Sequence, residues 1–324
     1  MKITLSRLSA ICATVLIALT VFPCVVLAQD YPSHAIRIIV PYAAGGSTDF
    51  VSRLYAKDLA GQLGQSVIID NRPGASTNIG SEIAASAPPD GYTLLITDGA
   101  YRWNSVFGPV PQFNPSTALL PIAMIAKIPF VIAASPKKKF STLKELIADA
   151  RDAPGKYTIS SASLRIFVEL LNSKAKMKLL HIPYKGGAQA VSDAISGQVD
   201  MVYAALPALW PFIQSGQLKP LGVTSLKRSA AIPNVPTVAE TGVDYDISIQ
   251  YVLYAPAGTP AAIRDRLAAA TEKIVAQKGF AQRLLAVGSE TGPSTAAQLT
   301  DANRRELVMW QQVAKQLPDL VETK

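Results

Sequence analysis

The chain has 324 residues, a formal net charge of +8 and two cysteines, Cys12 and Cys24. Its basic residues are scattered apart from Lys137-Lys138-Lys139, with no stripe of Arg and Lys interleaved with aromatics. The charge therefore excludes a nucleic-acid surface and supports at most a mild pull on anionic solutes.

The first 28 residues read as a secretory leader. Lys2 and Arg7 form a basic start, ICATVLIALTVF is an apolar centre too short to span a bilayer, and Val26-Leu27-Ala28 fits a small-residue cleavage pattern. An uncleaved anchor is the alternative; a lipoprotein is disfavoured because VFPC lacks small residues before Cys24. Cleavage after Ala28 would start the mature chain at Gln29. Loss of Lys2 and Arg7 lowers the charge from +8 to +6, and loss of both cysteines leaves no thiol for a disulfide, a metal or a nucleophile. The remainder is long enough for one large or two ordinary domains. No later segment reads as a membrane span, so the expectation is a soluble exported protein.

From there, short apolar runs alternate with helical spacing. A strand is predicted over 36–41, a helix over 49–63, a strand over 67–70, a helix over 79–87 and a strand over 92–97. Proline interrupts the rhythm over 110–121. It restarts with a strand over 130–134, a helix over 142–150, strands over 157–160 and 179–182 flanking a helix over 164–174, a helix over 188–196, and strands over 199–203 and 218–224. A last strand, YVLYAP, precedes mostly helix. This alternation predicts an α/β protein with a largely parallel sheet. The favoured arrangement has two lobes: 29–129 with 250–324, and 130–249. Two strands, near Phe130 and Tyr251, would cross between them. A single large sheet is the alternative.

The loop YAAGGSTD, Tyr42 to Asp49, joins the first strand to the first helix. In open α/β sheets ligands sit at such strand ends, where helix N-termini present unpaired N–H groups. Gly45 and Gly46, with Ala44, permit close backbone approach; Ser47 and Thr48 add hydroxyl donors. Asp49 either caps the helix or accepts from a ligand. The loop lacks the Lys of a P-loop and any GxGxxG, so it suits one carboxylate better than a polyphosphate. A second loop, NRPGASTNIG, offers Ser76, Thr77 and Asn78. A third, DGAYRWN, offers Tyr101, Arg102 and Trp103, and the second half offers Ser160, Ser161 and Ser163.

These stretches, with APPDGYTLL, HIPYKGGAQAVSDAISGQVD, VTSLKRSAAIPNVPTVAETG and YAPAGTPAAI, make the chain resemble the substrate-binding proteins of tripartite tricarboxylate transporters. These are the TctC-like or Bug receptors. The likeness is collinear from Tyr31 to about Trp310. It implies a two-lobed Venus-flytrap fold located in the periplasm, a carboxylate held between the lobes largely by backbone amides and water, and delivery to a membrane permease. The family's ligand loops fall on Tyr42 to Asp49 and Ser76 to Asn78. The chain departs from the pattern near the expected pocket. Ala43 and Ala44 replace two prolines, and Ser76 and Thr77 replace glycines. SSASL shortens the second-lobe loop, and Ala204-Ala205 replace an Asp-Asn pair.

Other residues have two readings. Arg102 could pair with a second carboxylate or stand solvated in its loop. Tyr42, Trp103 and Tyr203 could line a pocket for an aromatic acid, Tyr203 equally being core. Asp200, His34 and His181 read as structural, and two isolated histidines make no metal site. Ser141-Thr142-Leu143-Lys144 matches SxxK, but without companion motifs, and Thr142 with Glu145 reads as a capping box. The sequence thus predicts a monomeric receptor without cofactor, metal or catalytic residues. It would bind a di-, tri- or aromatic carboxylate and dock on a permease. A signalling sensor subunit and an exported hydrolase are the alternatives.

Overall fold

The computed structural model describes residues 31–321 apart from 139, 163, 164, 185 and 293; the leader with both cysteines, and Ser163, lie outside the described residues. Residues 1–33 and residues 34–324 form separate units, and the fold described here is that of the second.

In β1 (Ile36–Val40) every residue but Arg37 is buried, as a strand covered on both faces requires. In α1 (Ser47–Leu63), Val51, Tyr55, Leu59 and Leu63 recur every fourth position and bury one stripe. β2 (Val67–Asn71), α2 (Asn78–Ala85), β3 (Thr93–Thr97) and α3 (Ala100–Phe107) continue the alternation. After the long β4 (Leu119–Ala134) come α4 (Leu143–Asp152), β5 (Thr158–Ala162), α5 (Arg165–Ala175), β6 (Leu180–Tyr184), α6 (Gly187–Ser196), β7 (Met201–Ala205), α7 (Leu206–Gln214) and β8 (Lys219–Val223). β9 (Ser248–Pro256) leads into α8 (Ala261–Val275), α9 (Lys278–Leu285) and α10 (Ala296–Gln316).

Strands run in the order β2-β1-β3-β9-β4-β7-β5-β6, with β8 on the other side of β4. β1, β2 and β3 are mutually parallel, as are β5, β6 and β7. The first part of β4 pairs antiparallel with β9 through Pro129; from Phe130 it pairs with β7 and β8. One strand therefore serves both lobes. The second connection enters β9 through Ile247, whose N–H donates to the Thr224 carbonyl of the other sheet at 2.9 Å.

The structure departs from the sequence expectation at three elements. β4 begins at Leu119, inside the proline-rich interruption. Pro121 lies at a register shift against β9, which spares a ladder bond that proline cannot donate. DGAYRWN is not simply a loop: Ala100–Phe107 is helical, and it buries Arg102 and Asn104 beside Tyr101 and Phe107. Inward polar residues erase the apolar stripe that marks a helix. In α7, Pro207 lies in the first turn, where its missing N–H costs nothing, but Pro211 lies inside and hides the helix from a sequence reading.

Aromatic residues tie the two halves together behind the strand ends. Phe130, Phe167 and Tyr203 share one core with Phe107 and Trp310. The Trp310 ring of α10 lies 5.5 Å from Phe167 and 6.0 Å from Phe107.

Candidate functional site

A cavity of about 520 Å³ lies at the carboxyl ends of the parallel strands. From the first sheet it takes Pro41, Tyr42 and Ala43 after β1, Pro73, Gly74, Ser76 and Thr77 after β2, and Asp98, Ala100, Trp103 and Asn104 after β3. From the second it takes Ala162, Gly187, Ala190, Tyr203, Ala204, Ala205 and Ala208, with Phe130 and Ile249 from β4 and β9. Its size suits a small metabolite.

Four helix N-termini border this space: Thr77 and Ala205 are the N-caps of α2 and α7, and Ala100 and Gly187 are the first residues of α3 and α6. None of the four N-cap residues makes a side-chain cap, but Asp98 accepts the first N–H of α3, that of Ala100, at 3.0 Å, which leaves α2, α6 and α7 as the open ends. Away from the cavity, α4 and α10 carry complete capping boxes, Thr142 with Glu145 and Thr295 with Gln298. The former settles the SxxK stretch as a cap. α8 and α9 are also uncapped, so the distinguishing feature is the convergence of open ends on one space. Each end carries roughly half a positive charge and unsatisfied N–H groups. No Lys, Arg or His is among the described lining residues. Any attraction for an anion there must come from the backbone.

Of the residues predicted in the first loop, Tyr42 lines the cavity, while Ala44, Gly45, Gly46, Ser47, Thr48 and Asp49 stand outside its lining. Ser47 and Thr48 are committed to the Tyr251 hydroxyl, each at 3.0 Å. Asp49 is not a free acceptor: it takes the Gly45 amide at 2.9 Å, Arg53 at 3.0 Å and the Asn71 amide at 3.0 Å. Burial alone would raise its carboxyl, but these donors outweigh burial and lower it.

The second loop is strained. Ala75, Ser76 and Thr77 have φ of 44°, 51° and 81°, a left-handed run that favours glycine. The Asn104 side chain of α3 donates to the Ser76 carbonyl and holds the loop in place. Thr77 is only 6% exposed, and its hydroxyl has no hydrogen-bond partner among the described residues. Asn78 begins α2 and donates its side-chain amide to Pro109, outside the lining.

At the end of β3, sequence reasoning chose Tyr101 and Arg102 and passed over Asp98. Tyr101 and Arg102 point away from the cavity lining. Arg102 is neither solvated nor available for a second carboxylate: its Nε and Nη2 donate to Glu306 of α10 at 3.0 and 2.7 Å, and its Nη1 to the Tyr101 and Tyr254 hydroxyls. Burial opposes the guanidinium charge, but Glu306 more than compensates and raises its pKa. Asp98 lines the cavity, and the Tyr42 hydroxyl donates to its Oδ1 at 2.5 Å. Burial raises the Asp98 carboxyl above its ordinary value, against the bonds from Tyr42 and Ala100 and the charge of Arg102, while Glu306 adds to the rise. The signal was its place, immediately after a predicted strand.

In the second half, Tyr203 lines the cavity and is also core, its hydroxyl 3.0 Å from that of Tyr245. Ser161 lies outside the lining, 2.7 Å from His181 Nε2, and Ser160 donates to backbone carbonyls. His181 and Asp200 are structural, the latter accepting from the Thr158 N–H at 2.7 Å. Gly187 was missed, although KGG repeats the strand–glycine–helix signal of the first loop. Ala162, Ala190, Ala204, Ala205 and Ala208 carried no polar signal at all.

Two lobes built on parallel strands, sharing β4 and enclosing a cleft at their strand ends, define a two-lobed periplasmic binding protein. The chain belongs to the TctC family, the tripartite tricarboxylate transporter family receptors, whose sequence model matches residues 51–318. It is similar to BugT of Bordetella pertussis, 31% identical over 298 residues that cover 90% of this chain and 91% of BugT. Among solved structures it is similar to Rpa4515 of R. palustris with adipate, at 30% identity and a TM-score of 0.77, covering 88% of this chain and 98% of the other. The periplasmic binding protein BugD is likewise similar, at 30% identity and a TM-score of 0.73, with 88% and 98% covered. Among the described residues no helix is long and apolar enough to cross a membrane, and no cluster of acids and histidines could hold a metal.

Proposed function

We propose that the protein is an exported receptor that closes its two lobes on a small organic carboxylate and delivers it, chemically unchanged, to the membrane subunits of a tripartite tricarboxylate transporter. The observation that carries this reading is the convergence of three open helix ends, those of α2, α6 and α7, on a cavity whose described lining holds no cationic side chain. Backbone N–H groups can hold one carboxylate without a counter-ion, and closing the lobes excludes water and strengthens those bonds. Tyr42, Ser76, Thr77 and Tyr203, which line the cavity, complete the contact set from the sequence reading. Adipate in the 30%-identical Rpa4515 supports a carboxylate ligand.

The lobe division at 129/130 and 249/250 is supported by the change of β4 partners at Phe130. Cleavage after Ala28, a monomeric state and docking on a permease belong to the same reading. Ligand binding must favour the closed state for closure to follow. Trp103, at the cleft, gives an intrinsic fluorescence readout. Thermal-shift and fluorescence titration with di-, tri- and aromatic carboxylates is expected to show saturable stabilisation with no product formed. Stabilisation by phosphorylated compounds and by no carboxylate would overturn the assignment.

A further inference from the structure

The described lining of the cleft contains one charged side chain, and it is an acid. Asp98 receives hydrogen bonds from Tyr42 Oη at 2.5 Å, the Ala100 N–H at 3.0 Å and Thr97 Oγ1 at 3.4 Å, all on Oδ1. Its Oδ2 receives none from the described residues. Asp98 also forms no ion pair among them, because the neighbouring cation, Arg102, is bound to Glu306. A second ligand carboxylate brought to this wall would meet like charge. At ~6 Å and an effective dielectric of ~20 that repulsion weakens binding on the order of a hundredfold. The cleft is thus divided into an anion-holding region at the open ends of α2, α6 and α7, and an anion-rejecting point at Asp98, which takes the first N–H of α3 for itself.

The surroundings of Asp98 suit a cation. Tyr42 and Trp103, both half-buried, line the same space, with Phe130 and Tyr203 behind them. Aromatic faces attract ammonium and quaternary nitrogen and do little for a carboxylate. The Tyr42 bond also fixes the Asp98 carboxylate before any ligand arrives.

We propose that the ligand of this receptor carries a cationic nitrogen beside its carboxylate, and that Asp98 selects for it. The class comprises amino acids, betaines and other small zwitterions. This rests on the carboxylate reading above, which supplies the other end of the ligand. Plain dicarboxylates and hydroxy acids are the competing classes.

Isothermal titration with matched pairs tests it: γ-aminobutyrate against pentanoate, and γ-trimethylammoniobutyrate against its uncharged tert-butyl isostere. In the unaltered protein the cationic member of at least one pair is expected to bind about tenfold tighter or more, as for a close charge pair in a partly closed site. Asp98→Asn, whose Oδ1 can still accept from Tyr42 and Ala100, is expected to bring the pair within about threefold. It should do so by weakening the cationic member, leaving the uncharged one equal or tighter. Asp98→Glu keeps the charge and is expected to retain a preference of at least about threefold. Thermal transitions without ligand show that each variant folds. Equal or tighter binding of the uncharged members in the unaltered protein, or a preference that survives in Asp98→Asn, overturns the proposal while leaving the carboxylate reading intact. Failure of every acid, zwitterionic or not, removes the carboxylate reading and the proposal with it.

Discussion

The two walls of the cleft are built on the same plan and finished differently. Each rests on three parallel strands whose carboxyl ends turn into helices. The first wall carries side chains with something to say: Tyr42, Ser76, Thr77, Asp98, Trp103 and Asn104. Apart from Phe130, Tyr203 and Ile249, the second wall is Ala162, Gly187, Ala190, Ala204, Ala205 and Ala208. Small residues let backbone N–H groups and helix ends approach a ligand closely. The second wall can therefore meet a ligand with little but its backbone, whereas the first adds polar side chains to its helix ends.

The largest expected effect lies behind the first wall. Arg102 is held by Glu306, with 5% and 26% of their side chains exposed. Glu306→Ala strands a buried guanidinium and is expected to lower unfolding free energy by about 3 kcal/mol, read by urea denaturation. A loss under about 1 kcal/mol would mean that the pair behaves as an exposed one. The second wall is best broken at Gly187, where an added Cβ meets nothing within 4 Å. Gly187→Asp puts a tethered carboxylate at the open end of α6, where an acid also suits the helix dipole. Ligand affinity is expected to fall about a hundredfold or more, roughly 2.7 kcal/mol, with the apo melting temperature unchanged or raised. Full affinity in this variant would show that the second wall contributes no anion contact.

Smaller effects sharpen the contrast. Ser76 sits at φ 51°, a left-handed conformation that favours glycine. Left-handed strain costs about 1–2 kcal/mol, and glycine returns about 0.5–1 kcal/mol of that through its unfolded-state freedom. Ser76→Gly is therefore expected to stabilise the apo protein by about 0.5–1 kcal/mol in chemical denaturation. A destabilised variant would show that the loop is not strained.

The smallest effect is a pH dependence. Asp98 binds its proton more tightly in the folded protein, so its contribution to stability falls as pH rises from its ordinary value of 3.8 through the raised one. The charged groups facing it, Arg102 and Glu306, and the phenols Tyr42 and Tyr251, are unchanged in Asp98→Asn. That variant is expected to be slightly more stable than the parent at pH 7 and not at pH 3. Asp49 has the opposite sign. Its lowered carboxyl gives stability that is present above its ordinary value and lost as pH falls through the folded one, so Asp49→Asn should flatten the acid limb of the melting curve.

Much of this protein was legible in its residues. The alternation of apolar runs with helical spacing set out the α/β order, and YAAGGSTD and NRPGASTNIG marked two strand-to-helix turns at one edge of a sheet. The long collinear motifs identified the family. Those signals survive in a sequence because they are local: a strand, a glycine and a cap lie within a few residues of one another.

Tertiary structure decided which polar groups are free to meet a ligand. Arg102 looks available until Glu306, 204 positions away, closes on it. Asp49 looks available until Asn71 and Arg53 occupy it. Asp98 looks ordinary until Tyr42 fixes it at the cleft wall. α3 is only two turns long, and its packing against α10 sets its rotation, which turns Trp103 and Asn104 toward the cleft and Arg102 away. A hydrogen bond between distant segments leaves no pattern along the chain, so which wall carries polar side chains and which offers little but backbone became visible only once the strands were in register.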